Sequence, residues 1–384
     1  VNLFSTRFNS PNEQRIIDRS NDADVLLAKV DVQINKNNLL TMRHNYSRAE
    51  QINGTFDVPT WGFSANGRET NNSNSFIGQL VSNFSANLLN EFRFQYAKEE
   101  RPRFYDGPDL PDTTIGTFDG SISYRFGRPF FLPVPSDDLR LQFTDNFTVL
   151  RGNHAIKFGI DFNRTRVSQT FIGFARGRYI FAAPTIGEAI TGFTNYINGV
   201  SAAGLSLYLQ FAPIGNRTVE QAGTQAYTNI EPGLYVQDSW QVLPNLTFNF
   251  GFRWEAQFQP DPINAPSATR YGQFLNDPRF PSDGSIPDFT DGYSPRMSAS
   301  WAPDRKTAIR IGTGLYYARI PGLVVAGPRN TDGVIAGNIF FANFLCTGAG
   351  LGGCPVFPGI VPTQGFNPFN PGIAVFARGF KNPR

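Results

Sequence analysis

The sequence predicts an all-β fold: an antiparallel transmembrane β-barrel segment, an open half-barrel of about ten strands with long extracellular loops. Three observations carry this expectation. Apolar and polar residues alternate strictly over windows of about ten residues. Those windows come in pairs joined by very short turns, with long connections between pairs. The composition suits turns and pleated surfaces: of 384 residues, 37 are Phe, 37 Gly and 28 Pro, and only 17% are charged. With 34 basic and 31 acidic residues the net charge is +3, too balanced for the concentrated basic patch of a nucleic-acid-binding domain. Two Cys and two His largely exclude multi-His metal centres, zinc fingers and disulfide-rich scaffolds. The longest apolar run, residues 334–346, is interrupted by Asn338 and Asn343 and falls short of the ~18–20 residues of a membrane-spanning helix. A barrel strand needs only ~9–11 residues, apolar on one face.

The first hairpin alternates Ala28, Val30, Val32 and Ile34 with Lys29, Asp31, Gln33 and Asn35, then turns at Lys36-Asn37-Asn38. Placing Asn35 opposite Leu39 sets Val32 against Met42, and Asp31 against Arg43 as a cross-strand ion pair. The second turns at Ser85-Ala86-Asn87 and continues with Phe92, Phe94 and Tyr96 against Glu91, Arg93 and Gln95. The third pairs Leu139, Leu141, Phe143, Phe147 and Val149 with Ile156, Phe158, Ile160 and Phe162 across a turn near residues 150–154. The fourth is the clearest. Leu246, Phe248, Phe250, Phe252 and Trp254 share one parity, and Thr247, Asn249, Gly251, Arg253 and Glu255 the other. Across Leu243-Pro244-Asn245, the pairing Val242–Leu246, Trp240–Phe248 and Val236–Phe252 keeps the apolar sets together; a one-residue slip would oppose apolar to polar. The fifth turns at residues 302–306. Asp145 and Asp238 fall on the apolar parity; a β-bulge or a site near the rim would account for either.

The long connections, near residues 51–73, 99–138, 165–231, 256–292 and from 318 onward, all lie at the same end of the hairpins. They read as structureless apart from a short amphipathic helix near residues 185–199. Outer-membrane barrels have this asymmetry, with short periplasmic turns and long extracellular loops. The expected organisation is a lead-in segment at 1–22, barrel strands and loops at 23–317, and a truncated extracellular loop at 318–384.

Trp240 and Trp301 near the short turns, with Trp254 and Tyr96 toward the far end, read as an aromatic girdle. From Asn245 to Trp254 is roughly 30 Å of strand, or ~21 Å of membrane depth at a 45° tilt. The opposite parity exposes Arg43, Arg93, Arg140, Lys157, Asp161, Arg253, Glu255 and Arg310 to the lumen. They read as a hydrated wall with cross-strand ion pairs, or as contacts for a plug or a solute. Cys346 and Cys354 stand alone and close together, which suggests a local disulfide and an oxidising compartment, with two free thiols as the alternative. The glycine run between them matches GxGxxG only literally, without a preceding strand or a following helix, and reads as a flexible loop. His44 and His154 have no nucleophile at a persuasive spacing.

Several stretches also resemble a known family. The longest runs Gly233-Leu234-Tyr235-Val236-Gln237-Asp238-Ser239-Trp240, then Leu243-Pro244-Asn245-Leu246-Thr247-Phe248-Asn249-Phe250-Gly251-Phe252-Arg253-Trp254-Glu255. Others are Leu89-Asn90-Glu91-Phe92-Arg93, Asp145-Asn146-Phe147, Gly152-Asn153-His154-Ala155-Ile156-Lys157-Phe158-Gly159 and Ser294-Pro295-Arg296. Together they resemble the Oar-like branch of TonB-dependent outer-membrane receptors. The resemblance implies a barrel of about 22 strands with an N-terminal plug, energised by the TonB complex and handling a large solute. The plug, the TonB-interacting segment, a signal peptide and a final aromatic-ended strand do not match, so an internal barrel fragment following the plug is expected. The expected partners are outer-membrane lipid, the barrel's own plug, the TonB complex and an unidentified solute, with no nucleic acid and no cofactor. A binding and importing function is expected, not catalysis; a passive porin and a surface adhesin or structural protein are the alternatives.

Overall fold

The computed structural model describes residues 13–54, 61–170, 172–200, 204–342, 355, 357–362 and 372–384. In chain order the strands begin with β1 Ser20–Asn35, β2 Asn38–Ile52, β3 Gly67–Ser85, β4 Leu88–Glu100 and β5 Arg103–Tyr105. Next come β6 Asp112–Thr117, β7 Ser123–Phe126, β8 Ser136–Arg151, β9 His154–Thr170, β10 Arg178–Ala183 and β11 Leu205–Pro213. The last are β12 Thr224–Leu243, β13 Leu246–Gln257, β14 Phe289–Trp301, β15 Ile309–Gly314 and β16 Ala336–Ala342. Helices α1 Ile186–Ile197, α2 Val219–Gly223 and α3 Gly322–Asn330 lie in the long connections.

Ten strands form one wall in the order β1-β2-β3-β4-β8-β9-β12-β13-β14-β15, every neighbouring pair antiparallel, with β5 joined to β3. These are the ten strands the alternation predicts, in five hairpins. β1 and β15 end the path without pairing to each other, so the wall is an open half-barrel. The parity also separates the faces. Phe248, Phe250 and Phe252 are 39–47% exposed on one face, while Asn163 and Ser294 on the other are 3% and 0% exposed beneath the curve of the wall. The polar face is therefore the concave one.

Register differs from expectation in two hairpins. In the first, Val30 pairs with Met42, Val32 with Leu40, Asp31 with Thr41 and Lys29 with Arg43. The expected Asp31–Arg43 pair does not form. Asp31 bonds instead to Lys29 along its own strand at 2.8 Å and accepts from the Thr41 hydroxyl at 2.5 Å. The cause lies in the turn: the Asn35 side chain accepts from Asn37 N and Asn38 Nδ2, both at 2.9 Å, which closes the turn tightly and pairs Asn35 with Asn38. An even shift leaves both faces as predicted. In the fourth hairpin Trp240–Phe248 and Val236–Phe252 pair as expected, but a bulge at Val242 brings Leu243 opposite Leu246.

The long connections are not structureless. Their strands build a second sheet in the order β16-β11-β10-β6-β7. β6 and β10 run parallel, a departure from an exclusively antiparallel fold. The connection from β6 to β10 passes through β7 and the whole β8–β9 hairpin, ample length for the crossover that a parallel pair requires. The helix expected near 185–199 forms as α1, with the Thr185 hydroxyl accepting from Glu188 N and the Glu188 carboxylate accepting from Thr185 N. It lays Ala189, Phe193 and Ile197 on Tyr179, Phe181 and Tyr208, closed over by Phe357 and Val361. The Phe content of the loops thus builds a hydrophobic core at the long-loop end. Wall strands extend into this cap: β12 has 20 residues, about twice what a tilted strand needs to cross a bilayer, and its upper part buries Gln225, Tyr227 and Asn229.

Truncating Phe181, 1% exposed at the centre of the cap core, should cost the cap about 3–5 kcal/mol. Limited proteolysis of Phe181→Ala should cut residues 103–126 and 178–213 faster while the wall strands stay protected. Unchanged cleavage would mean that the cap core does not hold these segments.

Candidate functional site

The concave face carries rows of polar side chains running across strands. One row places Arg93, Thr144, Asp161, Gly233 and Glu255 opposite one another on five consecutive wall strands. The next row toward the cap is Gln142, Asn163, Glu231 and then Gln257. Arg253, one row nearer the short turns, ties two members of the first row together. Its Nε donates to Glu255 at 2.7 Å, and its guanidinium crosses β12 to lie 3.6 Å from Asp161 on β9. Gly233 makes that crossing possible: a Cβ there would stand 2.6 Å from the Arg253 guanidinium. Gly159 does the same for Tyr235, whose ring would lie 2.9 Å from an added Cβ and whose hydroxyl donates to Asn146.

The network continues through Gln142, which donates to Asp161 at 3.0 Å, and Arg140, which donates to Asn163 at 2.8 Å. Asn163 donates to Glu231 at 2.7 Å. Glu231, with its side chain 10% exposed, is also reached by Arg319 at 2.9 Å from the connection beyond β15. Gln257 clamps the same connection, donating to Ile320 O at 3.1 Å and accepting from Ile320 N at 3.0 Å. Three guanidinium groups (Arg140, Arg253, Arg319) thus meet three carboxylates (Asp161, Glu231, Glu255), so the site is neutral but densely hydrogen-bonded. Toward the short turns the concave face opens into a hollow of about 830 Å³ lined by Gln237, Ser239, Asn249, Arg296, Ser298 and Tyr316. Donors and acceptors are plentiful here, and no nucleophile–base pair stands among them.

Of the eight lumen residues read from the sequence, the structure brings Arg140, Asp161, Arg253 and Glu255 together. Arg93 forms a neighbouring group with Glu91 at 3.2 Å and Gln79 at 3.4 Å. Arg43, Lys157 and Arg310 share the concave parity but lie apart: Arg43 opposite Lys29, Lys157 opposite Thr148 and Gln237, Arg310 opposite Ser300. Glu231, Asn163 and Gln142 were missed although all three sit on the polar parity. Arg319 had no periodic signal that could have found it. On the convex face Trp240 stacks on His154 with centroids 5.4 Å apart, and Trp301 is 45% exposed, both near short turns. Trp254 Nε1 donates to Thr290 O at 2.9 Å, and Tyr96 is 40% exposed, both toward the cap. Cys346 and Cys354 lie outside the described residues.

Residues 5–384 match the family model described as an outer membrane beta barrel domain. The chain belongs to that family. Its wall therefore stands in the outer membrane, with the apolar convex face toward lipid. Among solved structures it is similar to the outer membrane transporter YddB from Escherichia coli, at 13% identity over 78% of this chain and 32% of that one, TM-score 0.44. It is similar to the ferric-catecholate import receptor Fiu from E. coli at 10% identity, over 80% of this chain and 48% of that one, TM-score 0.42. The ferric yersiniabactin uptake receptor FyuA from Yersinia pestis follows at 7% identity, over 84% and 34%, TM-score 0.37. The chain thus spans about a third to a half of the length of these structures. No curated protein matches it.

Lipid contact makes Asp145 and Asp238 a question of compensation. Neither sits at a bulge, since the ladder runs in register through both. Each has a polar neighbour on the same face. Asn90 Nδ2 donates to Asp145 at 2.5 Å. His154 Nδ1 lies 2.6 Å from Asp238 Oδ2, and the Asp238 side chain is only 13% exposed behind His154 and Trp240. His154 is thus the partner of a lipid-facing carboxylate.

His154→Ala should cost the assembled barrel about 1–3 kcal/mol by stranding Asp238, while His154→Phe with Asp238→Leu should recover most of the loss. Urea unfolding in lipid vesicles reads both; equal stability of His154→Ala and the parent would remove the pair from the account. Phe250→Arg, on the convex face, should cost about 2–4 kcal/mol near the bilayer midplane. Assembly yields of Phe250→Arg and Phe250→Leu check the face: equal yields would place Phe250 away from lipid.

Proposed function

We propose that this barrel wall belongs to a TonB-dependent receptor that takes up a polar solute from the outer side of the membrane. The reading rests on one observation. The connection carrying Arg319 and Ile320 is locked onto Glu231 and Gln257 of the concave wall, so the loop cap and the lumen network form one hydrogen-bonded unit. A solute arriving from outside meets that unit first, and groups of matching polarity can replace its internal bonds one for one. Arg140, Asp161, Arg253 and Glu255 are the residues offered to it, and Arg43, Arg93, Lys157 and Arg310 line the remaining wall. The likeness of the Gly233–Glu255 hairpin to the Oar-like receptors supplies the energy source: the TonB complex acting through a plug.

The open edges at β1 and β15 point the same way. In lipid an unpaired strand edge leaves a row of N–H and C=O groups without partners, at several kcal/mol each. Further strands of the intact protein therefore complete the wall, with residues 23–317 contributing strands and loops to it and 318–384 an outer loop.

Two measurements on the intact protein test this. Reconstituted in a planar bilayer, it should show no steady conductance; an open-pore conductance would favour a passive porin. Solute accumulation in cells should vanish without TonB. Persistent uptake would overturn the coupling, and adhesion without any uptake would favour the adhesin reading.

A further inference from the structure

The convex face changes character toward the cap. Along β9 the outward residues run Ile156, Phe158, Ile160, Phe162 and then Arg164 and Arg166, in unbroken register with β8 and β12. A guanidinium pair therefore follows directly on the apolar belt. From His154 at the short turn to Arg164 is ten residues, roughly 33 Å of strand and ~23 Å of depth at a 45° tilt. The apolar band of such barrels is ~25 Å tall, so Arg164 and Arg166 stand at the outer head-group level.

Their surroundings fit that level. Arg164 lies opposite Leu141, and Arg166 opposite Leu139; one strand further, Leu141 faces Tyr96 and Leu139 faces Lys98. Aliphatic, aromatic and cationic groups thus meet on one face, as at a membrane interface. Lys98 is already engaged, 2.5 Å from Glu100 and 3.8 Å from Asp137. Those two carboxylates are correspondingly tied up. The Arg164 and Arg166 side chains make no hydrogen bond or ion pair among the described residues. On the other flank they face Ile230 and Thr228, which offer no charge. Two guanidinium groups spaced ~7 Å apart on one strand face present paired donors suited to phosphate oxygens.

We propose that Arg164 and Arg166 form a binding site for the phosphorylated head group of a lipid in the outer leaflet, its acyl chains lying along Phe162, Ile160 and Leu141. The site is independent of the lumen network and of any transported solute.

The test uses the intact protein in detergent, with lipid A as the probe and native mass spectrometry as the readout. Arg164→Gln with Arg166→Gln should lower retained lipid A by about tenfold, as should removal of the phosphates from the probe. Arg310→Gln, on the concave face, should leave it unchanged. Heat-modifiable mobility on gels checks that the variants assemble; should the double variant not assemble, Arg166→Gln alone, at the exposed end of the pair, should still lower retention severalfold. Equal retention by parent and assembled variant, or equal binding of dephosphorylated lipid, would overturn the proposal. Displacement of lipid A by an equal concentration of inorganic phosphate would also overturn it, because it would mean that the acyl chains contribute nothing.

Discussion

The wall depends on one constraint: inside a bilayer every backbone N–H and C=O needs a protein partner, so the hydrogen-bond ladder must run unbroken across the apolar band. The irregularities obey it. Three of the four bulges sit beside short turns, between Gln33 and Asn35, Asn83 and Ser85, and Gln241 and Leu243, and the fourth lies at the cap end between Glu255 and Gln257. Between these limits the strands stay in register even where a carboxylate faces lipid. At Asp145 and Asp238 the side chains, through Asn90 and His154, absorb the cost that a backbone defect would otherwise have carried.

The same ladder determines how the concave face is furnished. Residues that oppose one another across strands stand ~5 Å apart, too close for two long side chains to lie flat at every position. Glycines at 159 and 233 make room, so that Tyr235 and Arg253 lie across neighbouring strands, Tyr235 along its own row to Asn146 and Arg253 into the adjoining row. The network follows from this interleaving of large and absent side chains. Its upper end is closed by Arg319 and Ile320, so the wall and the cap share one set of hydrogen bonds. A disturbance in the cap therefore has a direct route to the lumen.

The strands were legible in the sequence because a one-sided environment imposes a period of two, and that signal is local. Faces survived even where register did not: the Asn35 side chain tightens the first turn and moves the pairing by an even step, which cost the expected Asp31–Arg43 contact but no face assignment. Half of the lumen residues read from parity converge on one network, and half do not. Parity says which way a side chain points but not how far along the barrel its partners stand. Glu231 escaped notice as a residue at the edge of a long loop, and Arg319 because an irregular connection has no period to read.

Composition and alternation by themselves determined an all-β membrane wall, ten strands, two chemically opposite faces and a division between short-turn and long-loop ends. Those properties follow from which solvent each face meets, residue by residue. Tertiary structure alone decided that the long connections build a second sheet around Tyr179, Phe181 and Tyr208, that β6 and β10 run parallel, and that Arg253 reaches Asp161 over Gly233. Each of these joins residues from separate hairpins or distant connections. Their pairing is settled by which apolar surfaces can be buried together once the wall has brought the loops to one end, and no local pattern encodes that choice.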